Sequence, residues 1–131
     1  LRRYPSNRIL VYPDASGSAR STINASKTDI AILESYGFGS MALKSNPFIK
    51  DRVATVNALL QNGKGERRLA IHASCTRLIE CLELQSYDEK TGDPDKLNGY
   101  DHHVDALGYL CYREFNLLYG RAGKRTGIRI Y

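Results

Sequence analysis

Apolar and polar positions along the chain fall into stretches that predict strands and helices in turn. Asn7–Tyr12 reads as a buried strand closed by Pro13, and Ala15-Ser16-Gly17-Ser18 as a loop. Gly17 permits close approach of backbone to a ligand, or simply a turn. Ser26 or Thr28 is suited to cap a helix reaching about Tyr36, with Ile30, Leu33 and Ala31 inward and Gly37 and Gly39 ending it. Ser40–Lys44 is a short strand. Asn46-Pro47 opens a second helix, in which Ile49, Val53, Val56, Leu59 and Leu60 recur at helical spacing until Gly63 stops it. Arg68–His72 is a strand with Leu69 and Ile71 on one face, and Thr76–Leu84 a helix burying Leu78, Ile79 and Leu82. Ser86–Tyr100, with Gly92, Pro94 and Gly99, is a loop. A helix from Asp101 to about Leu118 and a basic tail, Gly120–Tyr131, complete the chain.

Strands alternating with helices predict an α/β layered domain with some parallel pairing. At 131 residues, 42% hydrophobic and 25% charged, the composition suits a single globular domain over 1–131. No apolar run approaches the roughly 18 residues of a membrane span, and no signal-peptide pattern opens the chain. The first residues, Leu1-Arg2-Arg3, read as an excerpt of a longer protein whose upstream residues share the fold. Cys75, Cys81 and Cys111 are an odd set without framework spacing, which favours reduced thiols over disulfides.

The net charge of +5 is uneven. Residues 1–68 carry eleven Lys/Arg against five Asp/Glu, and residues 69–131 carry eight against nine. A basic half beside an acidic cluster suits a polyanion held near a cation, or merely a solvated basic surface.

The acidic cluster is Asp101-His102-His103-Val104-Asp105. On a helix Asp101 and Asp105 share a face, where like charges repel by a few tenths of a kcal/mol when exposed. A divalent cation reverses that sign. Asp14, at the end of an apolar run, supplies a strand-end carboxylate of the kind that joins a helix-borne one in metal-dependent phosphoryl transfer. Each residue also has a plain alternative: Asp14 as a turn cap, Asp101 as a helix N-cap, Asp105 on an exposed stripe, and the histidines as a surface pair.

Other patterns carry less. No Cys-x-x-Cys pair supports zinc, Cys75 has no basic partner in sequence, and Cys111 reads as core. Gly120–Thr126 lacks the spacing of a phosphate loop and follows a helix instead of a strand.

Tyr12-Pro13-Asp14-Ala15-Ser16-Gly17, Thr28-Asp29-Ile30, Arg52-Val53-Ala54-Thr55-Val56-Asn57 and Asp101-His102-His103-Val104-Asp105-Ala106-Leu107-Gly108-Tyr109 occur in that order. Together they resemble the C-terminal nuclease domain of the large terminase subunit of tailed bacteriophages, from about Asn7 to Phe115. The last motif is similar to that family's Asp-His-x-x-Asp-Ala-x-x-Tyr pattern.

The resemblance implies a ribonuclease H-like mixed sheet flanked by helices, here without its N-terminal strands and the aspartate that they carry. It implies a Mg²⁺- or Mn²⁺-dependent endonuclease that cuts concatemeric double-stranded viral DNA during packaging. Asp14 and Asp105 would be catalytic metal ligands, Asp101 an outer ligand or cap, and His102 a group orienting water or completing a Mn²⁺ site. Implied partners are the upstream ATPase domain, the portal and the small terminase subunit, in the host cytoplasm. Arg20, Lys27, Lys44, Lys50, Arg52, Lys64, Arg67 and Arg68 are candidate phosphate contacts. The alternatives are a noncatalytic DNA-binding or motor-docking module, with Arg121–Arg129 as a possible contact, and another ribonuclease H-like nuclease such as a resolvase.

Overall fold

A computed structural model describes residues 7–18, 28–115 and 128–130, as a mixed α/β arrangement with four α-helices and short parallel strand pairs. The chain divides into two compact units, Leu1–Asn46 and Pro47–Tyr131.

In the first unit, β1 (Leu10–Val11) pairs in parallel with β2 (Gly39–Ser40), with Leu10 opposite Gly39 and Val11 opposite Ser40. The Gly39 N–H donates to the Ile9 carbonyl at 2.9 Å and the Met41 N–H to that of Val11 at 2.8 Å. Both strands are shorter than the sequence pattern predicts, because a strand extends only where a partner offers hydrogen bonds. Nor is β1 buried: Leu10 is 38% exposed. A Cβ at Gly39 would stand 2.7 Å from Leu10 Cδ2, so a larger residue there would make the exposed Leu10 side chain turn aside.

Helix α1 (Asp29–Ser35) connects the two strands. Thr28 caps it, its Oγ1 accepting the Ala31 N–H at 3.1 Å. Gly37, at φ 86°, ends it: its N–H donates to the Glu34 carbonyl and that of Phe38 to the Leu33 carbonyl. Ile30 and Leu33 are half-buried, while Ala31, expected inward, is exposed.

The second unit holds α2 (Ile49–Leu60), β3 (Leu69–Ile71), α3 (Thr76–Leu84), α4 (Asp101–Phe115) and β4 (Ile128–Ile130). Its core joins Val56 and Leu59 of α2, Leu69 of β3, and Leu107, Cys111 and Phe115 of α4, with Leu60, Ile71, Leu78, Leu82 and Leu110 packed against them. The α3 bounds coincide with the sequence expectation, and Cys81 is its fully buried residue. Leu78, Ile79 and Leu82 are only half-buried.

Three expectations change here. The buried face of α2 is Arg52, Thr55, Val56 and Leu59, so Ile49, Val53 and Leu60 flank the core instead of filling it. Thr55 is satisfied inside the helix, its hydroxyl donating to the Asp51 carbonyl at 2.8 Å. Gly63 is not the stop: Gln61 leaves the helix extended, Asn62 Oδ1 accepts the N–H groups of Lys64 and Glu66, and Gly65 takes the positive φ of 80°. Lastly, the basic tail contains a strand, because β4 pairs in parallel with β3, Leu69 opposite Ile128 and Ile71 opposite Ile130.

Candidate functional site

The loop before α4 is shaped by its own side chains. Asp88 Oδ1 accepts the N–H groups of Lys90 and Thr91 at 2.9 and 2.8 Å, and Gln85 Nε2 donates to the carbonyls of Ser86 and Asp95. The backbone N–H groups of Thr91 and then Lys90 hold the Asp88 carboxyl below its usual range. Gly99, at φ 72°, turns the chain into α4, and the Arg77 guanidinium lies 5.6 Å from the Tyr100 ring centroid.

Asp101 is the first residue of α4 and is buried, at 7% exposure. Its Oδ1 has no hydrogen-bond partner among the described residues. His102 Nδ1 is 4.0 Å away, too far for a hydrogen bond, on a side chain that is 84% exposed. An anionic side chain in the first turn is favourable to the helix dipole, yet an unpaired buried oxygen is costly. His103 is exposed.

Asp105 lies one turn further on and is neither a bare surface acid nor a buried one. Its side chain is 29% exposed, and Oδ1 accepts a 2.8 Å hydrogen bond from Nη1 of Arg52. The same Nη1 lies 3.4 Å from the Asp105 carbonyl oxygen. The Arg52 guanidinium carbon stands 4.4 Å from the centroid of the Tyr109 ring. Gly108 lies against the arginine stem: a Cβ there would be 3.4 Å from Arg52 Cβ. Asp105, Gly108 and Tyr109 therefore form one side of α4 that closes on Arg52.

This placement corrects one assignment. A phosphate contact must reach solvent, and the Arg52 side chain is 5% exposed and engaged by Asp105. The sequence held two signals for this. Arg52 lies at core spacing from Val56 and Leu59, and a glycine inside α4 marks close approach of a neighbouring element.

Asp14 belongs to the first unit and Asp105 to the second. Asp14 Oδ1 accepts the N–H of Ser16 at the start of the 3₁₀ turn Ala15–Ser18, and Asn46 Oδ1 accepts that of Ala15 at 2.7 Å. Asp14 thus does cap a turn, as its plain alternative predicts.

Of the other candidate phosphate contacts, Lys44, Lys50, Lys64 and Arg67 are exposed. Arg68 is half-buried, its guanidinium 5.5 Å from the Phe115 ring centroid. Arg20, Lys27 and the tail residues Arg121, Lys124 and Arg125 lie outside the described residues.

Among the described residues no group of three or more His, Cys, Asp or Glu side chains is gathered to hold a metal ion. What the second unit does offer is two carboxylates four residues apart, hard oxygen donors of the class that suits Mg²⁺ or Mn²⁺. None of its described helices is long and apolar enough to cross a membrane, nor is the one of the first unit. No protein-family model matches the chain, and neither does any curated protein or solved structure.

Proposed function

We propose that the chain is a divalent-metal-dependent endodeoxyribonuclease with a ribonuclease H-like fold, acting on double-stranded DNA in the packaging of a tailed bacteriophage genome. The observation that carries this reading is the start of α4. There Asp101 keeps a buried carboxylate oxygen without a hydrogen-bond partner among the described residues, and Asp105, one turn later, accepts Arg52 Nη1 through Oδ1. Such donors are costly to maintain in a fold that makes no use of them.

In this reading Asp105 is a direct metal ligand, Asp101 supports the ion from the first turn of α4 and His102 orients a water, while Asp14, in the first unit, is assigned a ligand role by the resemblance alone. A bound Mg²⁺ or Mn²⁺ supplies Lewis acidity to a phosphodiester and lowers the pKa of a bound water. The chain's own contribution is to fix the carboxylates and to hold the phosphate backbone through Lys44, Lys50, Lys64, Arg67 and Arg68, with Arg20 and Lys27. The ATPase domain, portal and small terminase subunit belong to the same proposal, as does the host cytoplasm.

The test is cleavage of a supercoiled plasmid in Mn²⁺ by the chain and by Asp14→Ala and Asp105→Asn. Loss of cutting in both variants, with circular dichroism unchanged, supports the assignment. Undiminished cutting by either removes that residue from it.

A second reading is favoured by one contact. The Arg52–Asp105 pair joins α2 to α4 and gives Asp105 a structural use without any metal. The chain would then be a noncatalytic DNA-binding or motor-docking module. DNA binding that is salt-sensitive but indifferent to Mn²⁺, without cleavage, selects this reading. A resolvase-like nuclease shares the chemistry of the first reading and is separated from it by a preference for branched DNA.

A further inference from the structure

We propose that Asn98, three residues ahead of the first residue of α4, is a site of self-modification, where the side-chain amide leaves as ammonia and an aspartyl or isoaspartyl residue remains. The sequence holds two Asn-Gly dipeptides, Asn62-Gly63 and Asn98-Gly99. In each, the second residue has no side chain to hinder attack by its own nitrogen. The reaction begins when the Gly99 nitrogen attacks Cγ of Asn98. The new C–N bond closes a cyclic imide, the Cγ–Nδ2 bond breaks, and the glycine amide proton departs with the ammonia. Water then opens the ring. Opening at Cγ gives aspartate on an unaltered backbone. Opening at the former backbone carbonyl gives isoaspartate, whose main chain runs through Cγ and is longer by a methylene. Nothing is oxidised or reduced, and water is the co-reactant.

The dipeptide is the same at both places, so the fold decides between them. Ring closure requires the asparagine to turn about its Cα–C bond and bring the next nitrogen onto Cγ. At Asn62 that turn is opposed on every side. Its carbonyl accepts the Gly65 N–H at 2.9 Å, and its own N–H donates to the Glu66 carbonyl at 3.0 Å. Its Oδ1 accepts the N–H groups of Lys64 and Glu66, both at 2.9 Å. Its Nδ2, the leaving group, donates to the Glu66 carboxylate at 2.7 Å, a charge-assisted bond. Asn98 is exposed, beside a Leu97 that is 95% exposed. Its Oδ1 accepts the Tyr100 N–H at 3.1 Å and its Nδ2 donates to the Ser86 hydroxyl at 3.2 Å. Both bonds are longer than those of the Asn62 side chain, and both go to neutral groups. The acid formed adds a negative charge three residues before the buried Asp101, just ahead of the first turn of α4.

The experiment is incubation of the 131-residue chain in mildly alkaline buffer, with and without urea, read by peptide mass spectrometry and by methyl transfer from a purified protein-isoaspartate methyltransferase. In the folded chain the Asn98 peptide is expected to convert to the acid about tenfold or more faster than the Asn62 peptide, because each further hydrogen bond that must break raises the barrier. The methyl label should fall on the same Asn98 peptide and vanish in Asn98→Gln, whose longer side chain closes the ring poorly. In urea the two rates should converge. Glu66→Ala, which frees Asn62 Nδ2, should speed conversion at Asn62 and leave Asn98 unaltered, with circular dichroism confirming the fold. Equal rates at the two sites in the folded chain overturn the proposal, as does an Asn98 that keeps its amide while Asn62 reacts in urea. A difference that persists undiminished in urea assigns the preference to flanking sequence and overturns it equally.

Discussion

Gly108 of α4 packs on the aliphatic stem of Arg52 from α2. A Cβ added at Gly108 would meet Arg52 Cβ at 3.4 Å, Nη1 at 3.6 Å and Cδ at 3.7 Å, ordinary van der Waals separations. The position thus has room for one methyl group.

Gly108→Ala is therefore expected to be tolerated and to stabilise the chain by about 0.5–1 kcal/mol, because alanine exceeds glycine in helix propensity. Gly108→Val should destabilise it by displacing the arginine. Thermal unfolding of the two variants checks both signs, and a Gly108→Ala that lowers the midpoint contradicts the geometry.

The Arg52–Asp105 pair is expected to show strong coupling in a double-mutant cycle. Removing either partner strands the other, more severely for the buried arginine than for the partly exposed aspartate. Arg52→Met should cost about 2–4 kcal/mol, the lower part of the buried-pair range extended down for the exposure of Asp105. Arg52→Met with Asp105→Leu should recover part of that loss. Additive effects in urea unfolding would show that the pair holds nothing.

On the proposed reading, DNA binding should weaken steeply with salt and show little sequence preference. Replacing Lys50, Lys64 or Arg67 by Gln should each reduce the slope of log K against log salt by about 1, and by similar amounts on unrelated sequences. Arg52→Met should leave the slope unaltered, since the guanidinium it removes is buried against Asp105 and does not reach solvent. Fluorescence anisotropy across a salt series reads both.

Stability should decline at alkaline pH through Cys111. Burial pushes its thiol from 9.0 up to about 12. Above pH 9 the unfolded chain gives up this proton while the folded chain keeps it, so the stabilising contribution is complete below pH 9 and is lost toward pH 12. Cys111→Ala should be less stable at neutral pH and show a shallower alkaline decline than the parent, by at most about 1.4 kcal/mol per pH unit. Parallel pH curves would exclude Cys111 as the cause.

Local order was legible from the sequence because it is set by neighbours in the chain. Thr28 caps α1 and Gly37 ends it through bonds that span only a few residues. Helix α3 runs over Thr76–Leu84 as its apolar spacing predicts, and Leu69 and Ile71 share one side of β3. The acidic turn at Asp101 and Asp105 was equally legible as a helix start with two carboxylates on one face.

Only the tertiary structure decided what those residues touch. Strand lengths were set by partners: β1 keeps two residues because β2 offers two, and the tail acquires β4 because β3 has an open edge. Its core spacing with Val56 and Leu59 hints that Arg52 is buried, but only α4 supplies what encloses it: the carboxylate of Asp105, 53 residues away, the Tyr109 ring and Gly108. Burial of a charge depends on a partner that neutralises it, and periodicity along one helix contains no record of that partner.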